Sequence, residues 1–132
     1  MIRLNVKTRK RCEFTDITHN VSTAVLESGV TDGIVLIFCP HTTAGITINE
    51  NADPSVPGDM TAKTSQIISQ NDPDYRHGEG NSDSHIKSSL FGASEAVIIE
   101  NGRLVLGTWQ GIFFAEFDGP RSRNVLLKIV SE

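Results

Sequence analysis

Apolar and polar residues alternate from the start of the chain, with Ile2, Leu4 and Val6 set between Arg3, Asn5 and Lys7. A period of two marks a strand with one buried face. A second short strand is predicted over Cys12 to Thr15. At Asp16 the period changes. Ile17, Val21, Ala24, Val25 and Ser28 fall on one helical stripe, with Asp16 as N-cap and Gly29 placed to end the helix. Gly33 to Cys39 is unbroken apolar sequence, which predicts a central strand covered on both faces. Pro40 interrupts it, and alternation resumes in a further strand. His41, Thr43, Gly45, Thr47 and Asn49 share one face of it; Thr42, Ala44, Ile46 and Ile48 share the other. The polar face is a candidate site wall.

Asp53-Pro54 and Pro57-Gly58 punctuate the start of a second helix whose stripe is Met60, Thr64, Ile67 and Ile68. Asn71 to Asn81 holds Pro73, Gly78 and Gly80 and has no apolar period, so a long ordered loop is predicted there, a class that often carries function. Ser82 is expected to cap a short third helix, with Ile86 and Leu90 facing inward and Gly92 ending it. Strands follow over Ala96 to Glu100, Arg103 to Leu106, Gly111 to Asp118 and Asn124 to Val130, the first pair joined by an Asn101-Gly102 turn of type I′ preference. Roughly eight strands and two or three helices predict an α+β fold, with mixed, largely antiparallel sheets forming a sandwich-like single domain over residues 1–132.

Composition narrows the function classes. With 38% apolar and 21% charged residues, the chain is ordinary globular material, and no window approaches the ~18 apolar residues of a membrane helix. The N-terminus lacks the features of a signal peptide, so a cytoplasmic protein is expected. Cys12 and Cys39 are too few for a disulfide scaffold and form no Cys-x-x-Cys pair, so reduced thiols are expected. A net charge of -4 gives no general attraction to nucleic acid, whereas Arg121, Arg123 and Lys128 leave room for a small phosphorylated metabolite as partner.

Three of the four histidines lie in polar, Gly-rich settings: His41, His77 and His85. Neutral imidazole suits zinc, and a catalytic zinc site takes three protein ligands, so these residues form a candidate metal set. Their spacing matches no local finger or His-Glu-x-x-His pattern, so they must converge through the fold. With Ser82 as N-cap, His85 sits in the first helical turn, where the dipole disfavours imidazolium. His19 falls outside these motifs and reads as a surface residue. Alternation puts Glu116 and Asp118 on one face of their strand, as candidate catalytic acids or a solvated strand end; Glu50 is a third acid candidate. Arg121 and Arg123 follow the Gly119-Pro120 turn as paired donors for phosphate or for those acids. The loop before the third helix offers Asn81, Ser82 and backbone N–H groups to an anion, with Lys87, Ser88 and Gln110 as further donors. Trp109 is expected in the core, stacking on a ligand ring being the alternative.

Taken together, the blocks His41-Thr-Thr-Ala-Gly-Ile-Thr-Ile-Asn-Glu-Asn-Ala-Asp-Pro54, His77-Gly-Glu-Gly-Asn81, Ser84-His-Ile-Lys87, Gly107-Thr-Trp-Gln-Gly-Ile-Phe113 and Glu116-Phe-Asp-Gly-Pro-Arg121 closely resemble the YjbQ family, also called the secondary thiamine-phosphate synthase family. The likeness spans nearly the whole chain. It implies a sandwich-like homotrimer with histidines clustered near the subunit contacts. It also implies a weak thiamine-phosphate synthase activity, joining hydroxymethylpyrimidine diphosphate to thiazole phosphate. Pro57-Gly58 and Ser122 depart from the family pattern, the latter dividing what is often a longer arginine run. For that reaction His41, His77 and His85 are expected to hold the metal, zinc by ligand type or magnesium by diphosphate chemistry. Two other readings use the same residues: a metal-dependent hydrolase of a small phosphorylated or ester substrate, and a non-catalytic trimer that binds a metal or metabolite.

Overall fold

The alternating N-terminal residues form β1 (Ile2–Lys7), followed by β2 (Glu13–Asp16), α1 (Thr18–Ser28), β3 (Gly33–Phe38), β4 (Ala44–Glu50), α2 (Ser55–Ile67), α3 (Ser82–Phe91), β5 (Ser94–Glu100), β6 (Arg103–Leu104), β7 (Gln110–Glu116) and β8 (Ser122–Ser131). These elements are described from a computed structural model of residues 1–132. The strands make a five-stranded sheet, β1-β8-β3-β5-β6, and a three-stranded sheet, β2-β7-β4. Every pairing is antiparallel, so the α+β, sandwich-like reading holds. Asn101 and Gly102 both have positive φ, 53° and 75°, as a type I′ turn between β5 and β6 requires.

The core lies between the sheets. Val35, Ile37, Val97, Ile99, Val125 and Leu127 meet Ala44, Ile46, Ile112 and Phe114, and α1 adds Val21, Ala24 and Val25. Each large apolar side chain buried there contributes about 1.5–3 kcal/mol. The N-cap of α1 is Ile17 and not Asp16, which ends β2 one residue earlier, although its Oδ1 still accepts from Thr18 N at 2.9 Å; Gly29 closes the helix in the left-handed region at φ 72°. Phe14, Phe91, Phe113 and Phe117 form a second apolar layer on the other face of the three-stranded sheet, with Phe91 and Phe117 centroids 5.3 Å apart. This layer fastens α3.

Several expectations about the elements fail, among them the cap of α3, which is Asn81 and not Ser82, the first helical residue. β3 is covered on one face only: Val35 and Ile37 are buried, while Ile34, Leu36 and Phe38 stand 43%, 39% and 40% exposed. In α3 it is Asp83, Ser84 and Lys87 that are buried, and Ile86 and Leu90 that face out. That polar face is tolerable because its groups satisfy one another. Arg11 grips Asp83 with two 3.0 Å bonds, Lys87 Nζ reaches Asp83 at 3.2 Å, and Ser84 Oγ donates to the Phe117 carbonyl at 2.6 Å. α2 buries no residue, and Ile67 of its expected stripe is exposed. Finally β4 begins at Ala44, and its supposed site wall is closed, because Gly45 lies against the end of α3: a Cβ there would stand 2.6 Å from the Gly92 carbonyl oxygen. The site wall is therefore the segment before β4.

Candidate functional site

Where β7 ends, Glu116 is fully buried, and its carboxylate has no capacity left over. Arg123 Nε donates to Oε1 and Oε2 at 2.9 and 3.1 Å, and Arg123 Nη2 also donates to Oε2. Thr8 Oγ1 donates to Oε1 at 2.7 Å, and the Phe117 and Asp118 amides each donate to Oε2 at 3.2 Å. A carboxylate whose oxygens are all engaged in this way serves to fix Arg123. Thr43 completes the hold, its Oγ1 accepting from Arg123 Nη2 at 2.8 Å. Only Nη1 of the guanidinium is left without a protein partner, and it is not sealed in the interior.

Arg123 forms part of the lining of a cavity of about 350 Å³ whose lining residues are polar apart from Pro40. The segment Pro40 to Thr43 enters from one side, Asp118 and Arg121 from the turn after β7, and Glu79, Asn81 and His85 from the loop and first turn of α3. Asp118 Oδ2 accepts from Asn81 Nδ2 at 2.8 Å and from half-exposed Arg121 Nη2 at 3.2 Å, so the amide and the guanidinium are neighbours across one oxygen. Asn81, only 8% exposed, keeps Oδ1 without a donor, the only buried side-chain polar atom in that state. Such an atom marks a place for a water or a ligand group. Each arginine already has an acid beside it, so the cavity is rich in oriented donors and carries little net charge.

His41 borders the same cavity, and its Nε2 accepts from the backbone N–H of Asn124 at 2.9 Å. Burial, then the positive Arg123 nearby, holds its pKa below the ordinary histidine value. His77 and His85 meet edge to face, with ring centroids 5.3 Å apart, beside a second cavity of about 430 Å³ that Ser82 also lines. No group of three His, Cys, Asp or Glu side chains converges within the chain, and the His41 nitrogen facing Asn124 is engaged. His41, His77 and His85 therefore do not make a zinc ligand set in one chain.

The remaining expected residues lie elsewhere. Lys87 is buried against Asp83, its Nζ 6.0 Å from the Phe117 ring centroid, and does not line the cavity. Glu50 pairs with Gln110 at the opposite end of the three-stranded sheet, about 20 Å from Glu116 at 3.3 Å per residue. Gln110 spends its Oε1 on Gly107 N at 2.8 Å, and Trp109 beside it is 62% exposed, not in the core. His19 is exposed, as expected. The sequence reading does not single out Thr8, Arg11 or Glu79, whereas Thr43 belongs to its polar strand face. Thr8 and Arg11 sit in a basic run with no local signal, and their partners lie 108 and 72 residues away.

The family model described as UPF0047 protein, YjbQ-like, matches residues 2–132. A UPF0047 protein of Bacillus subtilis, YugU, is 55% identical over 127 residues, 96% of each chain. One from Methanocaldococcus jannaschii is 55% identical over 132 residues, all of this chain and 95% of that one. Among solved structures, an uncharacterised YjbQ/UPF0047 protein of Clostridium acetobutylicum is 56% identical, with a TM-score of 0.96 over 98% of this chain and 100% of that one. A structure from Sulfolobus solfataricus described as of unknown function is 34% identical, with a TM-score of 0.94 over 99% and 96%.

Proposed function

The chain belongs to the YjbQ-like UPF0047 family, and we propose that it is a cytoplasmic enzyme transferring a group from a small phosphorylated metabolite bound in the Arg121–Arg123–His85 cavity. The observation that carries this reading is Arg123, a buried arginine immobilised by Glu116 and Thr43 with one nitrogen left for a ligand. A guanidinium held in advance loses little rotamer freedom when it meets phosphate. Arg121 and Thr42 line the same cavity.

The reaction implied by the family is weak thiamine-phosphate synthesis. The C–O bond between the pyrimidine methylene and diphosphate breaks, the diphosphate leaves with the electron pair, and the thiazole nitrogen forms the new C–N bond. Little proton transfer is needed, so catalysis rests on stabilising negative charge on the leaving group. Arg121 and Arg123 supply that stabilisation, to which a magnesium ion carried by the diphosphate would add charge neutralisation. Asp118 positions Arg121 and the Asn81 amide. The free thiols of Cys12 and Cys39 favour a reducing compartment.

Assembly as a homotrimer is part of the proposal. What supports it is the outer face of the five-stranded sheet, where Ile34 neighbours Val130 and Ile98 in register and Leu36 and Phe38 continue an exposed apolar row. Light scattering should give three times the 14.4 kDa chain mass. The enzymatic reading is tested by thiamine phosphate formation from both precursors with magnesium, for the native protein and for Arg121→Ala and His85→Ala. Product that disappears in both variants supports it. No product from the native protein, or equal rates in all three, removes it; phosphate release without the second substrate would replace it with hydrolysis.

A further inference from the structure

We propose that His41 is a neutral hydrogen-bond donor, its proton fixed on Nδ1, that holds an acceptor oxygen of the ligand together with Arg123 Nη1. The inference rests on the cavity being a ligand site. The tautomer follows from Asn124. A backbone N–H can only donate, so Nε2, which accepts from it at 2.9 Å, carries the lone pair and the ring proton belongs on Nδ1. Protonating Nε2 would set an N–H against an N–H and break that bond.

The ring is held in place on two further sides. Its edge packs on buried Phe114, with centroids 6.5 Å apart, and Thr43, two residues on, is tied to Arg123. No protein acceptor lies on Nδ1, and the only buried side-chain atom left without a partner is Asn81 Oδ1, so Nδ1 is not sealed in the interior, and His41 is among the residues that line the cavity. Arg123 precedes Asn124, so one short stretch of β8 both orients the imidazole and supplies the second donor. Two donors fixed before the ligand arrives suit an oxyanion, because they need no reorganisation when charge develops on it. Such a histidine works by polarising an oxygen; it neither ligates a metal nor abstracts a proton.

The groups that bear on the ring come from several elements: Arg123, Arg121 and Glu116 from the end of β7 and the start of β8, with Asp118, Glu79 and His85 across the cavity. The positive charges oppose an imidazolium, and both nearest carboxylates are already paired.

The test is two-bond ¹⁵N–¹H NMR of the imidazoles in the full protein, alone and with inorganic phosphate, followed by phosphate affinity of His41→Ala. The expected spectrum shows His41 with a bare Nε2 and a protonated Nδ1, and phosphate shifts the Nδ1 signal. His41→Ala should bind phosphate about 10-fold more weakly, the worth of one hydrogen bond to a charged group. A proton on Nε2 in the free protein overturns the assignment whether or not the variant folds. Phosphate that shifts His85 and binds unchanged to His41→Ala overturns the donor role alone. Phosphate that perturbs none of His41, His85 or Arg121 overturns both this inference and the ligand-site reading beneath it.

Discussion

Replacing Glu116 by alanine should cost stability before it costs anything else. The carboxylate is fully buried and accepts from Arg123, Thr8 and the amides of Phe117 and Asp118, while Arg123 has a side chain only 3% exposed. Truncation leaves a buried guanidinium with no counter-charge, a situation that costs about 3–5 kcal/mol. For a domain of this size that lowers the melting temperature by roughly 10–20 °C. Denaturant unfolding of the native protein and the variant measures the loss directly. Adding Arg123→Leu to the variant should recover part of it, since an unpaired buried charge is worse than none, and the shortfall from additivity measures the coupling. A loss below about 1 kcal/mol in Glu116→Ala would refute the structural role argued for this residue. It would return Glu116 to the list of catalytic acids.

Asp83 sets the acid limit of the fold: burial pushes its carboxyl up, but Arg11 and Lys87 outweigh this and hold it below the ordinary 3.8. Because the folded pKa is depressed, its contribution is present above pH 3.8 and fades as pH falls through the folded value, so Asp83→Asn should flatten acid unfolding curves below that pH. Lys87→Ala should weaken the fold by about 2–4 kcal/mol through the same cluster while leaving phosphate affinity unchanged, which separates it from the cavity residues. Gly45→Ala puts a Cβ 2.6 Å from the Gly92 carbonyl oxygen and should cost about 1–3 kcal/mol in thermal unfolding, with the end of α3 loosening first in hydrogen exchange.

The elements that announced themselves were those whose reasons are local. The stripe Val21-Ala24-Val25, the Gly29 stop and the Asn101-Gly102 hairpin depend on neighbours a few residues apart, and they stand as read. β3 misled because continuous apolar sequence says that both faces avoid water, not what covers them; one face is bare in a single chain. α3 misled more deeply. Its apolar residues Ile86 and Leu90 mark the exposed side, and the buried face is Asp83, Ser84 and Lys87, made tolerable by Arg11 at a sequence distance of 72 residues. The same limit governs the cavity. His41, His85, Asn81, Asp118, Arg121 and Arg123 were each visible as polar residues in unusual places, and the structure gathers them at one cavity. That Glu116 is consumed by Arg123, that Lys87 turns away, and that Glu50 and Gln110 lie at the far sheet end depend on pairing across the fold.

Isothermal titration of inorganic diphosphate into the native protein, Arg121→Ala and Glu50→Gln tests the central claim, that the cavity at the end of β7 is the anion-binding site. The account predicts binding to the native protein, unchanged affinity in Glu50→Gln, and an affinity about 10-fold or more weaker in Arg121→Ala. No binding to the native protein, or equal affinity in all three, would contradict it.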